Sequence, residues 1–188
     1  LVAVCLKHKG VPIGGMATAL PSKDQEVNFM AAKSIETDKS WEAKNGFLRA
    51  WVAHIYHMKT AAMPFKNLHE SGWIPSEEMK NPEFYPLNKI NLKPEGLITQ
   101  EGTRRNIRTI IEYLEGWFNG RGAKGIDSLE GLEGKRPALM EDLATARISI
   151  GQTCQRVLNN SVSKDTNRIH DSKLVKNIFS SELKDILK

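Results

Sequence analysis

Glu141 and Asp142 stand side by side between an apolar pair, Leu139-Met140, and a run of good helix formers that begins at Leu143. A carboxylate held at such a loop-to-helix junction, half shielded from water, has its pKa set by its surroundings. That suits it to accept a proton. The other role open to the pair is to decorate the first turn of a helix, where acidic side chains favour the positive end of the dipole. On residue types alone the second role is the commoner one.

Other groups capable of chemistry are scattered. Gly14-Gly15 lacks the third glycine of a dinucleotide fingerprint, so tight packing at a strand end is the plainer reading. His8, His54 and His57 have no Cys, Asp or Glu at matching metal-ligand spacing. A histidine at a strand end is usually a hydrogen-bonded structural residue. Arg104, Arg105 and Arg108 make a basic helical face, expected to be solvated, with no specific support for binding a coenzyme phosphate.

The elements that must position these residues follow from periodicity. Leu1 to Leu6 is a continuous apolar run and reads as a buried strand. Val11 to Ala17 reads as a second short strand. A helix is expected from Ser22, with Ser22 and Gln25 at capping-box spacing, to a stop at Asn45-Gly46. Val27, Met30, Ala31, Ile35 and Trp41 lie at near-helical spacing along it. Ala50 to Ile55 is the next strand, completing the strand–helix–strand order of a parallel βαβ unit.

Beyond residue 60 the prolines 64, 75, 82, 86 and 94 predict an irregular region with one short helix. Thr99 is a candidate N-cap for a helix that ends at Asn119-Gly120, with Ile107, Ile110, Ile111, Leu114, Trp117 and Phe118 on one face. A glycine-containing loop, Arg121 to Glu133, precedes the acidic pair, whose helix runs to about Asn159. A last helix, Asp171 to Leu187, would bury Leu174, Ile178, Leu183, Ile186 and Leu187. The fold class is therefore α/β followed by all-α.

Composition narrows the partners. The 188 residues carry a formal charge of +5, but 22 acidic residues are interspersed and no dense basic block occurs, so nucleic acid is not an expected partner. The same mild basicity suits a phosphate-bearing coenzyme. No stretch approaches the roughly 20 apolar residues of a membrane span. Leu1 to Leu6 lacks the basic flank and the cleavage site of a signal peptide. Cys5 and Cys154 are far apart in sequence, and the last residues, Ile186-Leu187-Lys188, are not a peroxisomal address. A cytoplasmic setting is expected.

Four blocks, in order, resemble the malate synthases. Gly14-Gly15-Met16-Ala17 with Leu20-Pro21 is similar to the family's Gly-Gly-Met-Ala-Ala, two residues, then Pro. Trp51-Val52-Ala53-His54 resembles its Trp-Val-Ala-His-Pro, and Ile98-Thr99-Gln100-Glu101-Gly102 with Asn106 to Trp117 resembles its Ile-Thr-Glu-x-Gly…Asn…Tyr-Leu-x-x-Trp helix. Leu139-Met140-Glu141-Asp142-x-Ala144-Thr145 matches its Leu-Met-Glu-Asp-x-Ala-Thr signature. The likeness covers about residues 10 to 158.

The resemblance implies the last βα units of a TIM barrel over residues 1–88 and a helical C-terminal domain carrying the catalytic base over 89–188. It implies condensation of acetyl-CoA with glyoxylate and hydrolysis to malate and CoA, with Asp142 as general base and Glu141 as a supporting neighbour. In the family an arginine stabilises the enolate, and a magnesium ion held by a glutamate and an aspartate polarises glyoxylate. Those residues belong to earlier barrel strands and have no counterpart here. Gly46-Phe47-Leu48-Arg49 replaces the family's Gly-His-Asp-Gly, Ile55 replaces its proline, and Cys154 stands where an aromatic residue is common. These departures keep a second reading open, a non-catalytic remnant or interaction module that retains the helical domain.

Overall fold

A computed structural model describes residues 1–86, 96–127, 129 and 135–188. The chain forms two compact units, Leu1–Lys93 with Leu132–Leu139, and Pro94–Gly131 with Met140–Lys188. The expected domain boundary at residue 88 lies outside the described residues.

In the first unit, strand β1 (Ile13–Ala17) leads through helix α2 (Gln25–Lys44) to strand β2 (Arg49–Val52), and the two strands pair in parallel. This is the expected βαβ order. Helix α2 begins two residues later than the capping-box spacing predicts. Asp24 is its N-cap and accepts from Glu26 N at 2.9 Å, while Ser22 Oγ accepts from Asp24 N. The carboxylate out-competes the hydroxyl because it also suits the positive helix end.

Two expectations fail in this unit. The run from Leu1 to Leu6 is the N-cap and body of a helix, α1 (Val2–Lys7), that packs on the short helix α4 (Glu77–Lys80). A six-residue apolar run does not distinguish strand from helix, and here only Ala3 is buried. The proline-rich region holds a helix of 13 residues, α3 (Met58–Glu70), which continues through Pro64. Pro64 gives up one backbone donor. The helix persists because Ala61 is buried with Ala31 and Ile35 of α2 and Ala17 of β1. The four alanines of that cluster, Ala17, Ala19, Ala31 and Ala61, let helix and strand approach closely. Leu139 closes on the same core, through a bridge to Ala19 and a 2.8 Å bond from Leu20 N to Ala138 O.

In the second unit, α5 (Gln100–Phe118) packs against α6 (Leu143–Leu158) and α7 (Ser172–Ile186). Thr99 caps α5 as expected, accepting from Gly102 N at 3.0 Å, and the helix stops before Asn119-Gly120. Ile107, Leu174 and Ile178 form its apolar centre, with Ile111 and Val175 beside them. Trp117, Phe118, Leu183 and Leu187 are exposed, against expectation, because they lie where no described residue covers them. The expected loop from Arg121 contains strand β3 (Ala123–Ile126), which pairs with β4 (Leu139–Asp142). Residues 128 and 130–133 of that loop lie outside the described residues.

Candidate functional site

The acidic pair ends a strand rather than a loop. Glu141 is half-buried like the rest of β4, Asp142 is exposed at its end, and the helix begins immediately after them. Asp142 is exposed and is the N-cap of α6, its Oδ1 accepting from Thr145 N at 3.0 Å and lying 3.4 Å from Thr145 Oγ1. Oδ2 is uncommitted among the described residues. Glu141 is half-buried. Burial, and then the neighbouring Asp142 charge, push its carboxyl above the ordinary range against the opposing hydrogen bond to Thr145. One carboxylate thus caps with one oxygen and offers the other, and its neighbour is biased toward the protonated form.

The ends of β1 and β2 place the histidines. His54 Nδ1 accepts from Tyr56 N at 3.1 Å, the hydrogen-bonded role expected of it. His57 is buried, hydrogen-bonded to the Leu20 carbonyl, with Nε2 buried and without a hydrogen-bond partner. Burial lowers its pKa below the ordinary histidine value, so the neutral ring is favoured. His8 is exposed.

Two residues of α2 escape a motif-based reading. Lys39 is fully buried, and its ammonium reaches Gly15 O at 2.7 Å, Glu42 Oε1 at 2.9 Å and Asp38 Oδ2 at 2.9 Å. Three donors therefore meet three acceptors. Glu42 Oε1 also accepts from Gly15 N at 2.9 Å. Removing one partner of such a buried pair costs ~3–5 kcal/mol because the other charge is stranded. A signal existed in the sequence: Val27, Ala31, Ile35, Lys39 and Ala43 repeat every four residues and all are buried, so Lys39 stands in an otherwise apolar row.

The expected solvated arginine face is instead an ion-pair network. Arg104 Nε and Nη2 grip Glu101 at 2.8 and 2.7 Å, and Nη1 reaches Glu182 at 3.0 Å. Arg108 pairs with Glu112 and stands 3.7 Å from the same Glu182. Glu182 is buried, which draws both arginines inward from the solvent. Nearby, Asp165 accepts from Gln100 N at 2.9 Å, Glu101 N at 3.2 Å and the Ser163 hydroxyl. Those bonds hold its carboxyl well below the usual carboxylate range. His170, also buried, bonds Ser161 O through Nδ1 at 2.9 Å and Thr103 Oγ1 through Nε2 at 2.8 Å.

Among the described residues no three His, Cys, Asp or Glu side chains gather to hold a metal ion, so these residues do not fit a magnesium site. Among them, too, no helix is long and apolar enough to cross a membrane. Cys5 and Cys154 are free thiols.

Fold and site together define a class: a parallel β/α segment followed in the chain by a helical domain with an acidic strand end at its first long junction. Comparison with known proteins makes that particular. Residues 1–83 match the family model described as malate synthase, TIM barrel domain, and residues 97–188 match the one described as malate synthase, C-terminal. Malate synthase A of Escherichia coli (strain K12) is 36% identical over 150 residues, covering 79% of this chain and 26% of that protein. The malate synthase of Dictyostelium discoideum is 32% identical over 189 residues, 97% of this chain and 33% of that protein. That of Streptomyces clavuligerus is 31% identical over 188 residues, 97% and 32% respectively. The chain belongs to the malate synthase family. It spans about a quarter to a third of the length of these three relatives.

Proposed function

We propose that this chain carries the general base, Asp142, of a malate synthase acting on acetyl-CoA and glyoxylate. The observation that supports it most is the division of the Asp142 carboxylate: Oδ1 is fixed by the Thr145 amide, which orients the group, while Oδ2 of this exposed residue has no partner among the described residues. In this role Oδ2 takes a proton from the acetyl methyl group. The enolate carbon forms a bond to the glyoxylate aldehyde carbon, and water then cleaves the thioester to give malate and CoA. Deprotonating so weak an acid requires stabilisation of the enolate oxygen as its charge develops. In the family that is the work of an arginine from an earlier barrel strand, while a magnesium ion polarises glyoxylate. A cytoplasmic setting accompanies this reading, although relatives from Candida tropicalis and Gossypium hirsutum are named as glyoxysomal; fractionation of the source cells decides it.

Asn and Asp cap helices about equally well. Asp142→Asn therefore keeps the bond to Thr145 while removing the base. In the chain joined to the N-terminal part of a curated relative, Asp142→Asn should lower malate formation by at least about a hundredfold with little change in Tm. Asp142→Ala should lose both rate and stability. Full rate in Asp142→Asn would exclude the role given to Asp142.

A further inference from the structure

The register between β1 and β2 contains a break that no motif explains. Ile13 pairs with Arg49, but the next partners are Met16 with Trp51 and Ala17 with Val52. Three steps along β1 therefore match two along β2, which places one extra residue at Gly14-Gly15, a bulge. Side chains alternate along a strand, so a regular β1 would put Ile13 and Met16 on opposite faces. With the bulge they share the face of Arg49 and Trp51, and all four are exposed. Ala17 is buried, paired with half-buried Val52 on the face that meets α2 and α3.

The peptide groups freed by the bulge are those taken by α2. Glu42 receives the Gly15 N–H and Lys39 donates to the Gly15 carbonyl. Glu42 Oε2 is buried without a hydrogen-bond partner and lies against Gly14, where a Cβ would come within 2.1 Å of it. A side chain at position 14 would thus have to displace the carboxylate that holds position 15. In a βα barrel the C-terminal strand ends carry the reacting residues, so a device that decides which side chains face outward there acts on the site itself.

We propose that Lys39 and Glu42 are positioning residues: from α2 they hold the Gly14-Gly15 bulge that turns Met16 to the face of Trp51 and Ala17 to the core. The effect on reaction rate rests on the malate synthase reading, but the bulge does not. The double variant Lys39→Met, Glu42→Leu removes both charges at once, so no lone buried ion is left to unfold the chain. In the full 188-residue chain we expect its helical circular dichroism to persist while Gly15 amide exchange accelerates at least about tenfold. We also expect the cross-strand nuclear Overhauser contact between the paired backbones of Met16 and Trp51 to disappear. Glu42→Gln, which still offers an oxygen to Gly15 N, should restore part of both signals.

In the chain joined to the N-terminal part of a relative, the double variant should lower kcat at least about tenfold with KM for acetyl-CoA held within about twofold. Unaltered Gly15 exchange and an intact Met16–Trp51 contact would overturn the bulge lock. An altered bulge with full kcat would overturn its role in the reaction. A joined wild-type protein that forms no malate would instead remove the malate synthase reading, with exchange and the Overhauser contact still deciding the lock.

Discussion

Glu141 and Asp142 are neighbours in the chain and differ in environment, because Glu141 lies within the half-buried strand β4 while Asp142 stands at its exposed end. Asp142 is exposed and tied to the start of α6, whereas Glu141 is half-buried and its carboxyl is raised above its ordinary value of 4.5, chiefly by burial. A raised carboxyl pKa opposes folding once the group ionises. Below the ordinary range both states are protonated and Glu141 costs nothing. As pH rises from there through the folded value, the unfolded chain ionises first and stability falls. Glu141→Gln should therefore raise Tm at neutral pH by up to about 2–4 °C, with the gain vanishing at acid pH. Thermal melts of both proteins across that range check it. An equal gain at every pH would mean that the substitution acts through packing and not through the charge.

At the scale of elements, α5 shows how a loop distant in sequence finishes a helix. Thr99 satisfies one first-turn amide, and Asp165, more than sixty residues on, satisfies those of Gln100 and Glu101. Because the Ser163 hydroxyl, and then these backbone bonds, depress the Asp165 carboxyl, its stabilisation is fully present above the ordinary carboxylate range. It is lost as pH falls toward the folded value. Asp165→Ala should lower Tm at neutral pH by about 2–4 °C and converge with wild type under strong acid. A gap that persists in acid would show that the ionised carboxylate is not the source.

Thr99 was legible in the sequence because a cap is a local, spaced signal, and so was the Asn119-Gly120 stop. Asp165 was not, since nothing local ties it to α5. The β1–α2–β2 order was legible for the same reason that Leu1 to Leu6 was misread: alternation and length identify a βαβ unit, but six apolar residues fit either helix or strand. Arg104 and Arg108 looked solvated because their partner Glu182 comes from another helix, beyond the reach of any spacing rule. The Asp142 signature could be read from its residues; the cap on Oδ1 depends on how the end of β4 meets the start of α6.

For the whole molecule, the two units differ in how far each can satisfy itself. The second has a core in which Ile107, Leu174 and Ile178 meet from two helices, and its helix starts are capped by Thr99, Asp142 and Asp171. The first rests on a parallel sheet of two strands, with Ile13, Met16 and Trp51 exposed on one face. Sheets of parallel strands are ordinarily covered on both faces. Expressed separately, the segment 97–188 should therefore unfold cooperatively on heating, and Leu174→Ala should cost it about 2–5 kcal/mol. The segment 1–83 should bind a hydrophobic dye and self-associate, since its open face has no cover and Leu139 no longer reaches Ala19. Analytical ultracentrifugation with dye fluorescence distinguishes the two. A monomeric, dye-silent 1–83 segment would show that the exposed strand face is tolerated in water, and a non-cooperative 97–188 segment would show that the helical core depends on the chain before it.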